Sequence, residues 1–392
     1  MNWCKYEDIC SSVGILKYFS LLLTVSDNQS VMEVGCNSIE ILFSEKVGVV
    51  LQSKENLTYS FNKYGVKAIK IGETIKQNIL SIGKLQLSIS SLRNTWMATS
   101  TKLELHQTKT SLAAKRAKNV INQPLKFNFP NKFNGKIPFQ KQNTLKAAVI
   151  REKGSNSERE MAYMMDLSGF EVRDVHMTDL IEGRENLEDI NLLVAVGGFS
   201  NSDVLGSAKG WAGAFKYNPK AKSAIENFFG RTDTLSLGVC NGCQLFVELG
   251  LITPNHNRKP RMLHNDSGKF ECIFTAVAIE KSKAIMLNGL EGSILGIWAA
   301  HGEGKFSFPQ DESNYQIPAK YLYQNYPSNP NGSDFNAAML SSEDGRHLVM
   351  MPHLERSIFP WNWGHYPKNH SDEISPWIIV FENAYNWIIN KA

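Results

Sequence analysis

The sequence predicts an α/β fold, a parallel sheet with helices on both faces, running from about Lys146 to the C-terminus. Three observations lead there. Strand and helix patterns alternate along this stretch, as they do in βαβ units. The runs Leu192-Leu-Val-Ala-Val-Gly-Gly-Phe199 and Thr234-Leu-Ser-Leu-Gly-Val239 are apolar and β-favouring, which suits strands covered on both faces. Both reach glycines at their C-terminal ends, where sheets of this kind bind ligands.

A chain of 392 residues has room for two or three domains. With 42% hydrophobic and 20% charged residues it has the make-up of a soluble globular protein with ample core. A net charge of +4 carries no nucleic-acid footprint. The cysteines Cys4, Cys10, Cys36, Cys240, Cys243 and Cys272 are scattered, so no disulfide framework is expected. Cys240-x-x-Cys243 lacks a second Cys/His pair at finger spacing, so no metal site is expected either. Val13–Val25 is interrupted by Lys17, is shorter than a membrane span and has an indifferent flank for a signal peptide. It reads as a buried helix or strand, and the chain reads as cytoplasmic, with no membrane contact.

Taken in order, residues 1 to about 100 read as a small α/β unit. Gly48–Gln52, Lys67–Ile71 and Lys84–Ile89 have strand character, and Asn56–Tyr64 reads as helix. Cys36 reads as a small core residue. From 101 to 145 lysine and glutamine dominate. Trp96–Lys118 is expected as an exposed helix whose run Lys115-Arg116-Ala-Lys118 faces solvent. Pro124, Pro130 and Pro138 then break a linker whose aromatic residues pin it to a neighbouring surface. Lys146–Arg151 opens the sheet. A helix over 155–169 follows, with Ser157 as N-cap and Gly169 as its stop. Phe170–His176, Leu192–Phe199, Phe274–Ile279, Leu295–Ala300 and His347–Met351 are further strands, and Pro376–Ile389 is a C-terminal helix.

The chemistry centres on Gly238-Val-Cys240-Asn-Gly242. Glycines two residues either side of a cysteine, between a strand and a helix, are the thiol version of a nucleophile elbow. A Cβ on either flank would clash with the neighbouring strand or helix. The helix N-terminus after Cys240 favours the thiolate. A thiolate attacking a carbonyl needs a base, a group to orient it and oxyanion donors. Two loops offer the first two: His301-Gly-Glu303 and His353-Leu-Glu355, each at a strand end with His and Glu two apart. Spacing does not choose between them. For the oxyanion, the amides of Asn241 and of Gly198 or its neighbour Phe199 are the candidates.

Gly238-Val-Cys-Asn-Gly-Cys-Gln244, with Val196-Gly-Gly-Phe-Ser200, His301-Gly-Glu-Gly304 and Pro352-His-Leu-Glu-Arg356, resembles the class I (triad) glutamine amidotransferases. Asp174–Leu180, Asn265–Glu271, Tyr326–Ser333 and Ser375–Trp377 are similar to the C-terminal part of the large-form phosphoribosylformylglycinamidine synthases. Upstream, Ile41–Gln52 and Leu92–Ser100 are similar to the end of the synthetase region of the same family. The resemblance implies three parts: the end of a synthetase α/β region over 1–100, a basic helix and linker over 101–145, and an amidotransferase domain over 146–392. It implies Cys240 as the thiol that attacks glutamine, His353 and Glu355 as the catalytic pair, and Gln244, His301 and Glu303 as lining of the substrate site.

Departures from the family pattern stand at Leu354, where proline is usual, at Asn201-Ser202, where Tyr-Gly is usual, and at Lys209, where an acidic residue is usual. Proline would fix φ in the His353 loop, so Leu354 implies a looser one. Residues 1–145 are too few for the family's nucleotide machinery. The expectation is therefore no cofactor in this chain, with ATP and Mg carried by a synthetase partner chain or a missing N-terminal region. The alternatives are a non-catalytic remnant or binding subunit, and a cysteine hydrolase of the same fold acting on another amide.

Overall fold

A computed structural model describes residues 53–138, except 54, 67, 69–71, 83, 109–111 and 120, and residues 145–391. Val13–Val25, Cys36, the Gly48–Gln52 strand and most of Lys67–Ile71 lie outside the described residues. The chain divides into two compact units between His106 and Gln107.

The first unit contains a short helix, Thr58–Asn62, and a hairpin of β1 (Ile79–Ile82) and β2 (Leu85–Ser88). The expected exposed helix over Trp96–Lys118 is two helices, Ile89–Gln107 and Leu112–Asn119. The second of these belongs to the larger unit, and so does the proline-broken stretch after it. There Phe127 and Phe129 meet the Trp363 ring at 5.2 and 5.7 Å.

Arg116 departs from expectation. Its guanidinium donates to Glu271 Oε2 at 2.7 Å and to the Tyr326 hydroxyl, so it is tied into the larger unit instead of facing solvent.

The larger unit is built on a six-stranded sheet. Its strands are β3 (Leu145–Arg151), β4 (Phe170–His176), β5 (Leu192–Ala195) and β6 (Leu235–Val239), joined later in the chain by β12 (Met339–Ser341) and β13 (His347–Met350). The spatial order is β12-β13-β6-β5-β3-β4, parallel throughout except for the antiparallel edge strand β12. Every residue of β5 and β6 is buried. Neighbouring residues of a strand point to opposite faces, so both faces are covered, as the unbroken apolar runs predict. Helices Glu158–Leu167 and Ile379–Ile389 pack against β3, and Asn241–Glu248 packs against β5, β6 and β13.

Phe274–Ile279 and Leu295–Ala300 are strands, but outside the parallel sheet. They form β8 (Glu271–Ile279) and β9 (Ile294–His301), which pair antiparallel with β11 (Ala319–Tyr321) beyond β8. A smaller pair joins β7 (Arg261–Leu263) to β10 (Lys305–Ser307). An isolated bridge between Trp298 and His353 links β9 to the loop that follows β13. Among the described residues, no helix is long and apolar enough to cross a membrane.

Candidate active site

The elbow forms where β6 passes into the helix Asn241–Glu248. Cys240 sits at the turn with φ 51° and ψ −104°, a conformation that residues with a Cβ avoid. Its amide donates to the Met350 carbonyl at 2.8 Å, which ties the turn to β13. The flanking glycines are required by contact: a Cβ on Gly242 would lie 2.0 Å from the Ala195 carbonyl oxygen, and one on Gly238 would lie 2.6 Å from that of Gly242. Cys240 is 6% exposed, and its thiol points toward the Ala300 carbonyl at 3.7 Å. Cys243 faces the core, and burial, then Cys240, pushes its thiol well up. Among the described residues, no group of three His, Cys, Asp or Glu could hold a metal.

Of the two His/Glu loops, the one after β13 is built as a pair. His353 Nδ1 lies 2.6 Å from Glu355 Oε1, with both residues 1% exposed. The His353 amide donates to the Trp298 carbonyl at 2.7 Å, and the Ser357 hydroxyl donates to the His353 carbonyl at 3.1 Å. Leu354 is fully buried beneath them. The loop expected to be looser for want of proline is therefore held by packing and hydrogen bonds.

Burial alone would lower the imidazole, but the charges of Glu355 and Cys240 outweigh it and raise His353 to about 9. Burial would likewise raise the Glu355 carboxyl, and His353 more than reverses this. At rest His353 Nε2 makes no hydrogen bond, although the thiol is near enough to lift the ring. His301 lacks such a partner. Burial chiefly, and then His353, holds it down at about 3, so it is neutral.

Gly198, Phe199, Cys240, Gln244, His301, Glu303 and His353 all line one cleft of about 240 Å³. Asn241 and Glu355 stand behind it. The Asn241 side chain accepts from the Ser200 amide and donates to Gln244 Oε1, and Gln244 Nε2 donates to the Glu303 carbonyl at 2.7 Å. The loops after β5, β6 and β9 are thus locked to one another. One expectation fails: the Phe199 amide is taken by the Gly154 carbonyl at 2.9 Å, so it is not free for an oxyanion.

Asn156, Asp203, Ser207, His264, Lys269, Phe270 and Arg356 also line the cleft, and none of them was assigned a role at the site from the sequence. Lys269, Phe270 and Arg356 lie inside stretches that carry the resemblance, which was the available signal. Arg356 donates to Asn156 Oδ1 at 2.6 Å and to the Ser157 hydroxyl. Ser157 does precede its helix, but at φ 74° and without a capping hydrogen bond. Lys209 is turned out toward Glu248 at 3.4 Å, so its charge does not enter the cleft.

A family model described as a CobB/CobQ-like glutamine amidotransferase domain matches residues 144–388. The chain belongs to this family. Among curated relatives, a probable phosphoribosylformylglycinamidine synthase (chloroplastic/mitochondrial) of Arabidopsis thaliana is 40% identical, over 90% of this chain and 28% of that one. The phosphoribosylformylglycinamidine synthase of Dictyostelium discoideum is 38% identical over 93% and 31%, and that of Homo sapiens 36% over 90% and 30%. The chain thus spans under a third of the length of these relatives. In this amidotransferase domain three neighbouring parallel strands, β5, β6 and β13, deliver Gly198, Cys240 and His353 from their C-terminal ends. The antiparallel β9 brings His301 in from the side.

Proposed function

We propose that this chain is the glutaminase part of a phosphoribosylformylglycinamidine synthase. It hydrolyses glutamine through a Cys240 thioester, and the ammonia serves the ATP-dependent conversion of formylglycinamide ribonucleotide to formylglycinamidine ribonucleotide. The observation that carries this is the strained Cys240 turn set beside the buried His353–Glu355 pair at 2.6 Å. The relatives' names supply the acceptor.

His353 Nε2 takes the thiol proton, and Glu355 holds the ring by Nδ1 and stabilises the resulting imidazolium. The thiolate attacks the amide carbon of glutamine. The amides of Asn241 and Gly198 receive the developing oxyanion. The imidazolium then gives its proton to the departing nitrogen, ammonia leaves and the thioester remains. Water, deprotonated by His353, attacks the thioester and releases glutamate and the thiol. Residues 1–100 are the end of the synthetase region in this reading. ATP and Mg belong to the remainder of that region, on a partner chain or a longer form of this one, and this unit needs no cofactor.

The test is covalent. A glutamine-analogue electrophile should add mass at Cys240, and Cys240→Ala should abolish the addition. His353→Asn should slow it by about a hundredfold or more. No labelling, together with no ammonia release when a synthetase partner is supplied, would sink the catalytic reading in favour of a binding subunit.

A further inference from the structure

The bridge between Arg116 and Glu271 stands at the end of a sheet that opens onto the cleft. Glu271 is the first residue of β8 and pairs with His301, the last residue of β9. Beyond that rung the two chains part into Lys269-Phe270 on one side and Gly302-Glu303 on the other, and these line the cleft as His301 does. Phe270 packs on Phe199, their ring centres 6.0 Å apart. Asn265 fastens the two sides together. Its side chain donates to the carbonyls of Lys269 at 3.1 Å and His301 at 2.7 Å, and accepts from the Gly304 amide at 3.0 Å. A strand end of this kind frays unless something holds it.

What holds it comes from far away in sequence. Glu271 Oε2 accepts from Arg116 at 2.7 Å and Oε1 from the Tyr326 hydroxyl at 3.0 Å, while Arg116 Nε donates to that hydroxyl at 2.9 Å. The guanidinium also lies over the Tyr326 ring, 4.9 Å from its centre. With the Glu271 side chain 3% exposed and that of Arg116 26%, solvent screens the pair little. The stretch that carries Arg116 is itself sewn down. The Asn119 side chain donates to the Tyr326 carbonyl at 2.6 Å, and the Tyr323 hydroxyl donates to the Pro124 carbonyl at 2.9 Å. Between them the Gln123 side chain donates to the Asn325 carbonyl at 2.9 Å and accepts from the Ser328 amide at 3.2 Å. Arg116, Glu271 and Tyr326 stand outside the cleft lining, so their effect on it passes through the rung that Glu271 shares with His301.

We propose that Arg116 is a positioning residue for the glutaminase site: acting through Glu271, it fixes the wall of the cleft from which Phe270 and His301 project. This rests on the glutaminase reading and extends it to a residue outside the cleft. The stretch 112–124, whose sequence suggests a solvated helix and a linker, is then a strut of the site. Two probes of Cys240 separate the wall from the thiol. A glutamine-analogue electrophile must be seated in the cleft before it reacts, whereas iodoacetamide reports the reactivity of the thiol itself. Mass spectrometry on the full chain reads both, well below the melting temperature of every variant.

In Arg116→Met the half-saturating concentration of the analogue should rise by roughly tenfold or more, since a shift of about 1 Å in a positioning group suffices for such a loss. Alkylation by iodoacetamide, which follows thiolate character, should stay within about twofold. Arg116→Met also leaves a buried charge unpaired and so weakens the fold. It is therefore measured beside Arg116→Met combined with Glu271→Met, which removes both charges and should restore the melting temperature but not the analogue's saturation. A double variant that saturates like the unaltered chain overturns the proposal and leaves the bridge as a support of the fold alone. An Arg116→Met chain that saturates normally overturns it as well. Equal slowing of both probes would put the effect at the thiol, and likewise overturns it. If the analogue fails to label the unaltered chain, the glutaminase reading falls and this proposal with it, a result seen before any substitution is made.

Discussion

In the proposed reaction Cys240 has two conflicting tasks: to react, and to hold a backbone conformation that a side chain resists. At φ 51° and ψ −104° it stores about 1–3 kcal/mol of strain. Glycine ordinarily weakens a folded chain relative to alanine by about 0.5–1 kcal/mol. At this position the order should invert, with Cys240→Gly more stable than Cys240→Ala by roughly 1 kcal/mol in urea unfolding, and both inert to labelling. Equal stabilities would show that the turn is relaxed. Asn201, Ser202 and Asp203 form a second such knot, three consecutive left-handed residues at φ 53°, 56° and 51° where the family pattern has a glycine in the middle. Ser202→Gly should stabilise the chain by about 1 kcal/mol, read by the same unfolding curve. The elbow was legible because its glycines are set by local contact. Spacing left His353 and His301 undecided, because both stand at strand ends and both precede a glutamate by two, and only the resemblance implied His353. What separates them is that the Glu355 carboxylate turns onto the His353 ring at 2.6 Å and that Trp298 bridges to the same loop, and spacing encodes neither.

Among elements, the helix Leu112–Asn119 shows what a charge pattern conceals. Lys115, Arg116 and Lys118 look like a solvated face, yet Arg116 reaches Glu271, which is 2% exposed, across 155 positions of sequence. Local pattern carries no information about such a partner. Arg116→Met takes the charged partner from the buried Glu271 carboxylate and leaves it accepting from the Tyr326 hydroxyl at 3.0 Å. That should destabilise the larger unit by about 2–4 kcal/mol, and Arg116→Lys should recover only part of it, because an ammonium cannot span both Glu271 and Tyr326 as the guanidinium fork does. An unchanged urea midpoint for Arg116→Met would place the bridge among surface pairs of little weight. The strands β8 and β9 teach a related lesson. Their existence was readable from apolar content, while their removal to an antiparallel sheet depends on the connection between them. In the structure residues 280–293 hold a three-residue 3-10 helix and no crossover helix, which fits the antiparallel pairing.

At the scale of the whole molecule, the parallel sheet was legible because burial on both faces leaves unbroken apolar runs. The cleft's electrostatic balance was not, since it depends on which histidines the fold buries. His347, bonded to Ser236 and stacked on Phe229, is lowered to about 4, chiefly by burial; His301 is lowered to about 3 in the same way. For these two the unfolded chain binds protons more readily, near 6.5, so their contribution to stability is full above that pH. It is lost as pH falls through about 4 and about 3. His353 runs the other way. Raised to about 9, it contributes fully below 6.5 and loses its contribution as pH rises through about 9. Stability should therefore peak near neutrality and fall on both sides. Between roughly pH 4.5 and 6 the unfolded state takes up about two more protons from His301 and His347 together, a slope of about 2–3 kcal/mol per pH unit. Paired carboxylates such as Asp189, held down by Lys146, titrate below this window. His347→Gln removes one of the two protons and should roughly halve the acid-side slope in urea unfolding at pH 5 and 6, while leaving the alkaline limb set by His353 in place. A slope unchanged by His347→Gln would mean that His347 takes up its proton in the folded state and that the acid limb belongs to other groups.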